Sequence, residues 1–137
     1  MLRLHRLAPL ALLASLVGCD GADPPLDAGT DAGAVDCPSL TEPQAMPGDD
    51  LGGDTWATFA EPFFADHCTR CHASTRSGTA RRGAPETYDW DREAAVRTHL
   101  AAIRSAVGVT HVMPPGPPRP SCEERARLVR WIDADAP

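Results

Sequence analysis

The run Cys68-Thr69-Arg70-Cys71-His72 constrains this chain more than any other stretch. Two thiols separated by two residues fall on one turn of helix, and an imidazole follows directly. That order suits covalent attachment of haem. Each S–H adds across one vinyl C=C of the porphyrin to give a thioether, and the adjacent His72 offers its imidazole to the iron as proximal ligand. Three other chemistries use paired cysteines. A thioredoxin-like redox pair follows a strand in a βαβ unit, and no run here alternates as a strand. A zinc site needs a second close pair of ligands, and no second Cys-x-x-Cys occurs. A disulfide between cysteines three apart is geometrically awkward. The expectation is one haem c, bound covalently at Cys68 and Cys71 and ligated by His72.

The chain has 137 residues, but not all of them are available to fold. Arg3, His5 and Arg6 precede an apolar run from Leu7 to Val17, which is shorter than the roughly 20 residues that span a bilayer. Residues 1–18 therefore read as an export signal. Leu16-Val17-Gly18-Cys19 resembles the lipobox of bacterial lipoproteins, which implies cleavage before Cys19 and lipid on its thiol and amine. Two or more acyl chains hold a protein on a membrane where one binds only marginally. The resemblance places the protein outside the cytoplasm, lipid-anchored and facing the periplasm. Asp20 favours the inner membrane by the enterobacterial rule, but the choice between inner and outer membrane stays open.

Residues 19–54 are rich in Asp, Ala, Gly and Pro and poor in large apolar side chains, so they read as a flexible tether. Cys37 is the one feature able to tie this segment down. The acidic residues lack the spacing of a calcium-binding EF-hand loop. Residues 55–137 remain as the folded domain. That is small for a self-sufficient core, and a staple or buried cofactor is expected at this size.

Three helices are legible in this domain, which reads as all-α. Asp54 or Thr55 caps the first, with Trp56, Phe59, Phe63 and Phe64 at helical spacing and Pro62 marking a kink or a start. The second runs from about Asp91 to Val107, with Ala95, Val96, His99, Leu100 and Ile103 as its apolar stripe and Gly108 as its stop. The third opens on a capping box, Ser121 with Glu124, and buries Leu128, Val129, Trp131 and Ile132.

Met113 is the leading candidate for the second axial position. It stands in Val112-Met113-Pro114-Pro115-Gly116, where the prolines stiffen an extended strap, and a thioether is a soft ligand suited to haem iron. His111 is the next candidate, two residues away, so exchange of ligands is conceivable. His99 reads as a packed side chain, His67 as exposed, and Met46-Pro47 as a loop pair remote from the motif. Arg76, Arg81, Arg82 and Arg119 could pair with haem propionates, although solvated loop charges are the commoner fate.

An aromatic-rich helix, Cys-x-x-Cys-His, a helix, a Met-Pro loop and a last helix carrying Trp follow one another over residues 55–137. In this the chain resembles the short class I c-type cytochromes, down to an ending that reads Met113-Pro114-Pro115, then Glu124-Arg125-Ala126-Arg127-Leu128-Val129-Arg130-Trp131-Ile132. The resemblance implies thioether bonds at Cys68 and Cys71, His72 and Met113 on the iron, and Trp131 on a helix packed against the first near the haem. One departure is that the Gly-aromatic pair of the first helix is missing; Ala57 and Ala60 are the small residues available for the close crossing.

Cys19 is assigned to lipid and Cys68 and Cys71 to haem. Cys37 and Cys122 are left as an even pair in an oxidising compartment, so a disulfide between them is expected. The implied activity is transfer of single electrons between redox partner proteins, by a monomer or by a subunit of a larger oxidoreductase. A haem sensor or peroxidase-like enzyme with a labile distal site is the alternative. The net charge of −6, with no Lys and every basic residue an Arg, offers no electrostatic route to nucleic acid.

Overall fold

In a computed structural model, residues 36–137 of the chain are described. The expected export signal, the expected lipid site Cys19 and residues 20–35 lie outside them. The described residues are helical and contain no strand.

Thr55 opens the helical domain. Its hydroxyl accepts from Thr58 N, and the Thr58 hydroxyl accepts in turn from Thr55 N at 2.9 Å. Trp56–Ala60 is a single π-helical turn that passes into α1, Glu61–His67. Pro62 accounts for the wide turn. It has no N–H to give the carbonyl four residues back, and its ring needs room beside that carbonyl. The turn buries Phe59 and Ala60, and α1 buries Phe63, Phe64 and His67. Of the two small residues considered for the helix crossing, Ala60 is buried in the core and Ala57 is exposed.

Cys68 leaves helical geometry at φ −121°, and α2, Thr69–His72, follows as one further turn. Its start is tied to the last turns of α1. Cys68 N donates to Phe64 O at 2.8 Å, and the Thr69 hydroxyl donates to Ala65 O at 3.0 Å.

The second helix of the sequence reading is divided. α3 covers Glu93–Thr98, α4 covers Leu100–Ile103, and Arg104–Val109 continues as a π-helical stretch. The Thr98 hydroxyl donates to Ala94 O at 2.8 Å, a back-bond that bends helices, and His99 sits at the break with its ring centroid 4.5 Å from that of Tyr88. Gly108 does not stop the helix. It lets this stretch approach α5, Cys122–Asp133: a Cβ there would lie 2.4 Å from Val129 Cγ2.

α5 begins at the capping box, with Glu124 N donating to the Ser121 hydroxyl at 3.1 Å and Ser121 N donating to Glu124 Oε2 at 2.7 Å. Its inner face joins Leu128, Trp131 and Ile132 to Phe59, Phe64, Val96 and Ile103 in one core. Trp131 is fully buried, 6.4 Å from the Trp56 ring, and donates to Pro137 O.

The assignment of residues 36–54 to a free tether needs correcting. Leu40 N donates to Gly108 O, and Arg104 donates to the carbonyls of Leu40 and Glu42 while pairing with Asp133 at 2.7 Å. Cys37 is disulfide-bonded to Cys122, with Cα atoms 5.3 Å apart. The segment lies along the domain because its carbonyls find donors there.

Candidate functional site

α1, α2, the loop after α2, the helical stretch before Gly108 and the proline-rich strap surround one cavity of about 330 Å³. Cys68, Cys71, His72 and Met113 all line it. Most of the remaining wall is apolar, from Phe64, Trp90, Ala102, Ile103, Ala106, Val107, Val112 and Pro114. Both motif cysteines are free thiols, and burial pushes the Cys68 thiol up to about 12.

His72 is oriented from behind. Its Nδ1 faces Tyr88 O at 3.2 Å, and its ring stacks on Trp90 with centroids 5.2 Å apart and planes 19° from parallel. Trp90 N donates to His72 O at 2.7 Å, closing the loop onto the motif. With Nδ1–H given to a carbonyl, Nε2 is the nitrogen carrying the free lone pair, which is the usual support of a metal-bound imidazole. Burial holds the imidazole's pKa below its ordinary value, so the ring is neutral and able to ligate at pH 7.

The loop that presents Tyr88 is built on Arg81, only 3% exposed. Its guanidinium donates to the carbonyls of Ala73, Ala84, Pro85 and Tyr88 and pairs with Asp89 at 3.0 Å. This side chain is therefore not a solvated loop charge. Arg82 remains exposed on the rim.

Met113 is 40% exposed and Val112 57%, an unusual amount of apolar surface beside an apolar cavity. Met113 N donates to Ala106 O at 3.1 Å, which anchors the strap over the cavity. The peptide bonds Met113–Pro114 and Pro117–Pro118 are cis. His111, at φ +55°, turns its Nε2 onto Gly108 O at 3.0 Å and does not line the cavity. His99 and Met46 do not line it either.

His67 is buried rather than exposed, with Nε2 3.7 Å from Glu124 Oε1 and Nδ1 without a partner. Trp131 belongs to the core behind the site and not to its wall. Of the apolar residues read from the helical stripes, Phe64 and Ile103 reach the cavity. The sequence reading missed Tyr88 and Trp90. Their signal was two large aromatics one residue apart in a segment otherwise read as loop. No group of three or more His, Cys, Asp or Glu able to hold a bare metal ion occurs among the described residues, so the paired cysteines gain no partners there for a zinc site.

Two thiols, the His72 imidazole and the Met113 thioether thus line one cavity whose wall is mostly apolar. Comparison with protein-family models, with curated proteins and with solved structures returned no match to this chain.

Proposed function

We propose that the protein is a membrane-tethered monohaem c-type cytochrome that passes single electrons between redox partners. The observation carrying this reading is that one largely apolar cavity is lined by both thiols of the Cys-x-x-Cys-His motif, by His72 and by Met113. Cys68 and Cys71 would hold the porphyrin covalently, His72 and Met113 its iron. Bound there, haem supplies an iron that takes one electron from a reduced donor and gives it to an oxidised acceptor, alternating between Fe(III) and Fe(II).

The chain's own residues do the remaining work. The Tyr88 carbonyl and the Trp90 ring fix the His72 tautomer and plane. The apolar walls exclude water, which keeps the local dielectric low and favours the less charged ferrous state. As a ligand, the thioether of Met113 would raise the potential further. The lipid proposed on Cys19 would confine the domain to a membrane surface.

The test is expression of the full chain in a host that matures c-type cytochromes, followed by haem staining after denaturation and by optical spectra. Haem that survives denaturation is expected, together with a weak far-red charge-transfer band in the oxidised protein that Met113→Ala removes. Loss of covalent haem in Cys68→Ser/Cys71→Ser completes the assignment. Covalent haem with a high-spin, carbon-monoxide-responsive spectrum in the unaltered chain would turn the reading to a sensor or peroxidase. A folded, exported protein without covalent haem would refute it.

A further inference from the structure

The strap that carries Met113 is built almost without hydrogen-bond donors. Pro114, Pro115, Pro117, Pro118 and Pro120 have carbonyls but no N–H. Such a segment cannot form a ladder of its own, and its inward carbonyls need donors brought from elsewhere. Arginine is suited to that task, since its planar guanidinium carries five donors and no acceptor.

Arg119 meets one of these carbonyls from within the strap, donating to Pro115 O at 3.0 Å, and two arginines reach the strap from outside it. Arg70, one of the two residues between the motif cysteines, donates from its two Nη atoms to the carbonyls of Pro117 and Gly116, the latter at 2.6 Å. Arg125, on the inner side of α5 and 4% exposed, donates from Nη1 to Val107 O at 2.8 Å and to Met113 O at 3.1 Å. Neither forms an ion pair among the described residues. A buried guanidinium with no carboxylate beside it costs stability relative to an apolar side chain of the same size, so its value lies in what it orients.

We propose that Arg70 and Arg125 are positioning residues for Met113, clamping the strap so that the thioether stays over the cavity, with Arg70 joining the haem-attachment turn to the distal side. The inference rests on the cytochrome reading for the role of Met113 but not for the existence of the clamp. A lysine at position 70 keeps the charge but is a point donor that cannot fork across two successive carbonyls.

The experiment is a titration of free imidazole into the oxidised holoprotein, read by the far-red band and the Soret shift. Imidazole competes with Met113, so its apparent affinity reports the fraction of molecules in which the strap is released. Arg70→Gln and Arg125→Met are each expected to bind imidazole about tenfold more tightly than the unaltered protein, through a larger released population. Arg70→Lys should fall near Arg70→Gln, and Arg92→Gln, on the surface away from the strap, should match the unaltered protein. Unchanged imidazole affinity in both Arg70→Gln and Arg125→Met, with covalent haem and the far-red band intact, would overturn the proposal. If Arg125→Met does not fold, Arg70→Gln alone decides. If the unaltered chain carries no covalent haem, the cytochrome reading fails and amide hydrogen exchange decides the clamp. Faster exchange at Met113, whose amide is bonded to Ala106 O, upholds it in the variants; unchanged exchange there overturns it.

Discussion

A Cβ on Gly108 would stand 2.4 Å from Val129 Cγ2, with Val129 itself fully buried in α5. Gly108→Ala is therefore expected to lower stability by roughly 1–3 kcal/mol, the usual cost of overpacking. Combining it with Val129→Ala should recover part of that loss, which urea denaturation of the two single variants and the double variant will show. Arg81 is the costlier side chain to lose. Arg81→Met strips donors from the carbonyls of Ala73, Arg76, Ala84, Pro85 and Tyr88 and leaves Asp89 without its partner, so a loss of about 3–5 kcal/mol is expected. The same urea curves measure it, and a loss below about 1 kcal/mol would refute the role given to Arg81. The contrast between these residues and the motif shows what a sequence discloses at this scale. Cys68, Cys71 and His72 are neighbours along the chain, so their meeting is local and legible. Met113 is legible because prolines flank it. Arg70, Arg81 and Arg125 act on carbonyls that become orphaned only after the chain has folded, and no spacing marks them.

The capping box of α5 was legible because all its partners lie within four residues, and the same holds for Thr55 and Thr58 at the first turn. The division between α3 and α4 was not. Apolar spacing continues through Thr98 and His99, while the hydroxyl back-bond and the packing of His99 on Tyr88 interrupt the helix. The helix ends also carry a pH dependence. The Ser121 backbone N–H holds the Glu124 carboxyl below its ordinary value, and the hydrogen bond from Arg127 does the same for Asp54. Carboxyls depressed on folding contribute stability that is complete above the ordinary carboxylate range and is lost as the pH falls through their lowered values. The urea midpoint is thus expected to fall most steeply below about pH 4, after a shallower decline that begins near the ordinary imidazole range as unfolding lets His72, held neutral by burial, take a proton. Asp54→Asn should fall less steeply across that window. An Asp54→Asn protein with the same acid slope as the unaltered one would show that the Arg127 pair contributes nothing.

Over the whole molecule, the largest departure from the sequence reading is the course of residues 36–54. Composition alone makes this stretch look like a tether, since it offers little apolar surface. It is held instead by polar contacts: Arg104 bridging two of its carbonyls to Asp133, the Ser39 hydroxyl donating to Val109 O, and Arg127 reaching Asp54. The disulfide fastens the start of this wrap to the first residue of α5, beside the strap that carries Met113. The two cysteines are separated by 85 positions, so the bond closes nearly the whole described chain into one loop. Loop-closure entropy makes such a link worth about 4–5 kcal/mol against the unfolded state. The Cys37→Ser/Cys122→Ser protein is therefore expected to show a strongly lowered urea midpoint. Amide exchange should rise first in residues 38–46 and in the first turn of α5. The core formed by Phe64, Leu128 and Trp131 should exchange only by global unfolding, because its members come from the helices and the wrap adds only Leu51 against it. If exchange instead rises evenly through the core and the wrap, the segment is part of one cooperative unit and the disulfide acts on the domain as a whole. A midpoint that does not move would mean that the polar contacts hold the wrap without the covalent link.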